Sequence, residues 1–164
     1  MFRAHELDLV LKIDAAALAS LVAYSQLRPR DDEAGGVLLG RWLEGASSFV
    51  VDAISEPQPE DRRTRTSFFR SYRGHTQIIA DNLRASRDTR GYLGEWHTHP
   101  EPVPKPSRID RRDWCRRLHC DRVELPWVFF IIVGTAEICA WTGAPGRGRQ
   151  RLWRLERQPS QSAK

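Results

Sequence analysis

Cysteine is scarce in this sequence: only Cys115, Cys120 and Cys139 occur among 164 residues. An odd, sparse set does not build a disulfide framework, so the chain is expected in a reducing compartment, the cytoplasm. Long apolar runs are missing too. "WVFFIIVG", Trp127 to Gly134, falls far short of the roughly 20 residues that span a bilayer, and Lys12 and Asp14 interrupt the stretch that would serve as a secretory signal. No membrane partner is expected. There is no internal repeat and no composition break that marks a second domain. Lysine is also rare, yet the net charge is +5 and the pI about 9.6, because arginine supplies the positive side. That balance permits an acidic partner or simply a solvated, Arg-rich surface.

What is present is a full alternation of strand and helix patterns. Hydrophobic residues make up 40% of the chain, enough for a core without disulfides. "HELDLVLKI" alternates as a strand. Asp14 is placed to cap a helix carrying Leu18, Leu21 and Val22 on one face. "GGVLLGRWL" and "SSFVVDAIS" predict a hairpin turning at "EGA". Residues 56–66 predict a polar loop, and "SFFRSY" a short strand. His75, Ile78, Ile79, Asn82, Leu83 and Ser86 recur at helical spacing. "TRGYLGEWHTH" predicts a central strand, Ser107 to about Cys120 a helix, and "PWVFFIIVG" and "AEICAWTG" two further strands, one buried on both faces. "RLWRLER" predicts an edge strand. The expected class is α/β, a single-domain α/β/α sandwich with a mixed sheet over residues 1–157, followed by a disordered tail over 158–164.

One stretch concentrates chemistry. "WHTHPEPVPKPSRID", Trp96 to Asp110, places two histidines one residue apart, then Pro100, Pro102, Pro104 and Pro106, then Ser107 and Asp110. On a strand, residues i and i+2 share a face, so His97 and His99 can share one cation while Thr98 faces away. The prolines stiffen the loop. Asp110, in the first turn of the next helix, brings an oxygen ligand to two nitrogens. Two histidines, one carboxylate and a position left for water form a catalytic zinc pattern. Separately, "SRID" also reads as a capping box, with Ser107 as N-cap and Asp110 three residues on. A water-activating site also needs a base. Glu33, at the head of "EAGGVLLG", is the first choice, and Gly35 and Gly36 allow another backbone to come close. Glu95 shares the face of the histidines and competes, either as a partner for a histidine N–H or as an ion pair. Cys115 and His119, four residues apart, suggest a second metal site less strongly than they suggest ordinary packing.

These segments resemble the JAMM/MPN+ metalloproteases, whose motif is an upstream glutamate, His-x-His, seven residues, Ser, two residues and Asp. Here His97, His99, Ser107 and Asp110 match it without a gap. The resemblance implies a cytidine-deaminase-like fold of the JAB/MPN type. It implies Zn²⁺ held by His97, His99 and Asp110, Glu33 as proton shuttle and Ser107 as oxyanion donor. It further implies hydrolysis of an isopeptide or peptide bond after a ubiquitin-like or target-protein C-terminus, with the strand after Glu33 receiving the substrate's extended tail. Within the family, "GGVLLGRW" and "YLGEWHTHP" look like the short, stand-alone prokaryotic members. Among these are deconjugating peptidases of CBASS anti-phage operons, encoded beside ubiquitin-activating and conjugating-like enzymes, where the modified protein is a CD-NTase-type nucleotidyltransferase. Peptidases of other bacterial ubiquitin-like or sulfur-carrier operons share the pattern, as does a RadC-like branch. A basic nucleic-acid binder with a metal site is a weaker alternative, suggested by aromatics among the arginines of "DRRTRTSFFRSYR" and "RGRQRLWRLER".

Overall fold

A computed structural model describes residues 1–42, 47–121 and 123–159. Its first strand, β1 (Phe2–Ala4), leads through a 3₁₀ turn (His5–Leu7) into β2 (Leu9–Ile13). Helix α1 (Ala15–Ala23) begins at Asp14, whose side chain accepts the Ala17 N–H at 2.8 Å. Strands β3 (Gly35–Trp42) and β4 (Ser48–Ile54) pair antiparallel as expected, while the "EGA" turn lies outside the described residues. A small hairpin follows, β5 (Arg62–Thr64) with β6 (Ser67–Phe69), and then α2 (Tyr72–Ala85). The remaining elements are β7 (Gly91–Thr98), α3 (Arg108–Cys120), β8 (Val128–Val133), β9 (Ile138–Gly143) and β10 (Trp153–Arg157).

The class is α/β with a mixed sheet: β2 with β4 and β7 with β8 run parallel, the other pairs antiparallel. Where an α/β/α sandwich was expected, the mixed sheet closes into a barrel of order β1-β10-β9-β8-β7-β3-β4-β2. The three-residue β1 makes the closure by pairing with β2 on one side and β10 on the other. Strand β10, expected at an edge, is therefore interior, flanked by β9 and β1. The "HELDLVLKI" strand is shorter than its alternation suggested, because residues 5–7 form the 3₁₀ turn and Asp8 takes a left-handed φ of 46°. Within the expected loop 56–66, Arg62–Thr64 is strand. Of the tail expected over 158–164, residues from 160 on lie outside the described part.

Strand β8 divides the core. Phe129, Ile131 and Val133 pack with Leu9, Phe49 and Leu21 of α1, whereas Val128, Phe130 and Ile132 pack with Trp114 and Leu118 of α3. An all-apolar strand is what burial on both faces requires. Burying each such Phe or Ile contributes about 1.5–3 kcal/mol.

Strand β7 carries a bulge. Opposite β3, Leu38 pairs with Gly94 but Leu39 pairs with Tyr92, so Leu93 is extra. Gly94 absorbs it with φ +153°, and a Cβ there would lie 1.8 Å from the Phe129 carbonyl oxygen. The bulge shifts the side-chain alternation by one residue. Leu93 and Trp96, three apart, both enter the first core cluster, while Tyr92 packs against the second. Downstream, Glu95 and His97 line the cleft beside α3.

Candidate metal centre

The centre forms where β7 ends and α3 begins. His97 is the penultimate residue of β7, and His99, one residue past its end, stays in register through its N–H to the Val133 carbonyl at 2.9 Å. The proline loop then turns back, stitched to the β8–β9 turn. Thr135 N–H donates to the Glu101 carbonyl at 2.9 Å, and Ala136 and Glu137 donate to the Pro102 carbonyl at 3.1 and 2.9 Å. Pro104 and Pro106 are buried. The loop delivers Ser107 as the N-cap of α3, with its Oγ accepting the Asp110 N–H at 3.2 Å and the Asp110 carboxylate accepting the Ser107 N–H at 2.6 Å. The capping-box and metal readings of "SRID" are thus both geometrically met: the box aims Asp110 at the histidines.

His97 Nε2 and His99 Nε2 lie 3.1 Å apart, and each lies 3.5 Å from a different Asp110 oxygen. Two ligands each 2.0–2.1 Å from a tetrahedral ion lie about 3.3 Å apart, so these three residues fit a metal ion in spacing as well as in donor type. Among the described residues they are the one group of three or more His, Cys, Asp or Glu side chains gathered closely enough for this. Trp114, stacked on Phe130 with centroids 4.6 Å apart, backs the His97 ring at 6.2 Å. Thr98 faces away, and it ties the neighbouring strand. Its Oγ1 accepts the Ala34 N–H at 2.9 Å, and its own N–H donates to the Ala34 carbonyl at 2.8 Å.

Glu33 precedes Ala34 and is 4% exposed. Its N–H donates to the Thr64 carbonyl at 2.8 Å, and Arg63 Nε donates to its carbonyl at 2.7 Å, so the β5–β6 hairpin holds its backbone. Burial, with the negative charges of Asp110 and Glu101 adding to it and His99 opposing, pushes its carboxyl up to about 7. Burial also acts on His99 and tends to lower it, but hydrogen bonding to Asp110 and the charges of Asp110, Glu33 and Glu101 outweigh this, so its pKa is raised. Asp110 is held well below the ordinary carboxylate range. Burial opposes that shift, and the hydrogen bonds from His97, His99 and Ser107 prevail.

Glu33, His97, His99, Ser107 and Asp110 all line one cleft of about 700 Å³. Glu95 lines it as well, but its carboxylate is occupied. Arg70 donates to Oε1 through Nε and Nη2 at 3.0 and 2.6 Å, and Arg117 Nε lies 2.9 Å from Oε2. It is an ion pair between hairpin and helix, not a base. Cys115 is half-buried and His119 exposed, and they join no group of three ligands among the described residues. Gly35 and Gly36 each admit a close backbone neighbour within the chain, the Trp96 carbonyl and the Ser55 carbonyl. A Cβ on Gly35 would lie 2.4 Å from the Phe68 ring, and one on Gly36 2.3 Å from the Ser55 carbonyl. Strand β3 pairs with β7 along Gly35–Gly40 but with β4 only along Leu38–Trp42. The cleft wall that sequence reasoning missed is the hairpin itself, through Phe68, Phe69 and Arg70. Its only signal was the short apolar run in "SFFRSY".

A sequence profile of prokaryotic homologs of the JAB domain matches residues 15–155. The chain belongs to the prokaryotic JAB-domain family. It is a metallopeptidase of the JAMM type, and that family implies a metal ion at the centre just described. Similar proteins include a CD-NTase/cGAS isopeptidase of Vibrio cholerae, 35% identical over 87% of this chain and 86% of that protein. Another CD-NTase/cGAS isopeptidase, from Escherichia coli, is 37% identical over 75% of this chain and 74% of that protein. The solution structure of a Desulfitobacterium hafniense protein shares the fold, with a TM-score of 0.55 at 19% identity, covering 87% of this chain and 89% of the other. Among the described residues, no helix is long and apolar enough to cross a membrane.

Proposed function

We propose that this JAB-family chain is a zinc-dependent isopeptidase, carried by one domain over residues 1–157, that reverses a bacterial ubiquitin-like conjugation in CBASS anti-phage defence. Its substrate is a CD-NTase-type nucleotidyltransferase joined through its C-terminus to an amine. The observation that carries the chemistry is the convergence of His97, His99 and Asp110 at coordination spacing beside the buried carboxyl of Glu33. The substrate class rests on the relatives' names.

His97 Nε2, His99 Nε2 and an Asp110 oxygen would hold the ion, and zinc suits two imidazoles with one carboxylate. When bound, the ion polarises the scissile carbonyl and acidifies the attacking water. Glu33 takes the proton from that water and returns it to the leaving amine, a role for which a pKa near 7 is well placed. Ser107 Oγ accepts from Asp110 N–H, and its hydroxyl donates to the developing oxyanion. The outer edge of β6, along the cleft, receives the extended tail by main-chain pairing. Three free cysteines suit a cytoplasmic protein working beside the activating and conjugating enzymes that make its substrate.

The test is incubation of the purified, zinc-loaded protein with a CD-NTase conjugated through its C-terminus to a lysine side chain, read by mass spectrometry. Scission after the C-terminal residue is expected, lost on chelation and restored by zinc. An intact conjugate in the presence of stoichiometric zinc would refute the proposal.

A further inference from the structure

Away from the metal centre, three polar side chains form a buried line that the reaction does not use. Ser55 follows β4, Asp61 precedes β5, and His75 lies in the first turns of α2. His75 and Asp61 have fully buried side chains, and Ser55 is 2% exposed. Ser55 Oγ lies 2.7 Å from His75 Nδ1, and His75 Nε2 lies 3.0 Å from Asp61 Oδ2. Ser55 Oγ also accepts the Val37 N–H at 2.8 Å. In the tautomer with its proton on Nε2, the imidazole accepts from Ser55 and donates to Asp61.

Each end of the line is bolted to an element that shapes the cleft. Ser55 is locked to β3 and β7: its N–H donates to the Val37 carbonyl at 3.0 Å, and its carbonyl accepts Trp96 Nε1–H at 3.1 Å. Asp61 closes the neck of the β5–β6 hairpin. Immediately before β5, its Oδ1 accepts the N–H of Ser71, just past β6, at 2.7 Å, and its Oδ2 accepts the Gln58 N–H at 2.6 Å. That hairpin walls the cleft with Phe68 and Arg70, and its Thr64 carbonyl holds the Glu33 N–H.

We infer that His75 is a positioning residue: through Ser55 and Asp61 it anchors the neck of the cleft-wall hairpin to the barrel and so holds the surface that receives the substrate tail. A carboxylate with two backbone donors still needs its third partner to stay oriented when no water reaches it. Without that partner the neck opens locally while the barrel, closed by its own ladders, does not. The part of this inference that concerns substrate rests on the proposed isopeptidase function; the anchoring itself does not.

The experiment is hydrogen exchange of the full-length protein with His75→Phe, which fills the space without the hydrogen bonds, and His75→Gln, which can accept from Ser55 and donate to Asp61. In the Phe variant the amides of residues 58–71 and of Glu33 are expected to exchange about tenfold faster, the scale of one lost buried hydrogen bond, with β8 and β9 unchanged. KM for the conjugate rises about as much while kcat falls less, and Gln restores most of both. Should His75→Phe not fold, Asp61→Asn is expected to give the same local fraying. Exchange that rises uniformly through the barrel, an unchanged hairpin, a loss in kcat at constant KM, or a Gln variant as frayed as Phe would overturn the anchor. If the wild-type protein cleaves no conjugate, the proposed function fails, and the exchange pattern still decides the anchor on its own.

Discussion

A base kept at a pKa near 7 inside a protein destabilises the fold that holds it. Glu33 is 4% exposed, and its carboxyl is raised from 4.5 to about 7. In the unfolded chain the same group ionises near its ordinary value. Between those two values the folded state holds more protons than the unfolded state, so stability falls as pH rises. The stability associated with the protonated carboxyl is fully present below 4.5 and is lost as pH climbs through 7. At about 1.4 kcal/mol per pH unit, the loss comes to roughly 3 kcal/mol above pH 7.5 in the metal-free protein. Glu33→Gln replaces the carboxyl with a neutral group of the same shape. It is expected to match the wild type near pH 4.5 and to exceed it by about 3 kcal/mol at pH 8, or roughly 6–12 °C in Tm for a chain of this size. The assay is urea unfolding of both proteins in chelator at several pH values. The variant should also keep its metal affinity and lose cleavage. Parallel stability profiles from pH 4.5 to 8 would refute the burial argument and, with it, Glu33 as a tuned base.

Two further substitutions separate the roles of neighbouring groups. Asp110→Ala removes a metal ligand and half of a capping box. The metal-free variant is expected to lose about 1 kcal/mol in thermal unfolding and to retain far less than one zinc per chain by elemental analysis after dialysis. Gly35→Ala places a Cβ 2.4 Å from the Phe68 ring and 2.7 Å from the Trp96 carbonyl. It is expected to displace the hairpin and lower stability by about 1–3 kcal/mol in urea titration, with cleavage reduced while zinc content stays unchanged.

The three candidate ligands were readable in the sequence because they come from one short strand–loop–helix unit, in which strand alternation and helix capping each have a fixed period. Glu33 was a first choice from its place at the head of a strand, but only the resemblance ranked it clearly over Glu95, since its link to the histidines runs through Thr98 and Ala34, two residues without any distinguishing chemistry of their own. Barrel closure was not readable. It depends on β1, three residues whose partners lie at Leu9–Leu11 and at Glu156–Arg157, and such long-range pairing leaves no local pattern. The β7 bulge was hidden for a related reason: "YLGEWH" alternates acceptably, and only the contacts show that Leu93 and Trp96 face the same way. Ser55 and Asp61 lie at the two ends of the β4–β5 connection and His75 in α2, with no characteristic spacing, so nothing in the chain announces them as a unit.

The proline loop has one more implication. Because three backbone N–H groups of residues 135–137 pin Glu101 and Pro102, the segment between the histidines and Asp110 is shaped by the polypeptide rather than by whatever cation it cradles. Stripping the ion should therefore leave a rigid mould. Inactivation by chelation would then be instantly reversible, without the refolding delay of small domains that owe their shape to zinc.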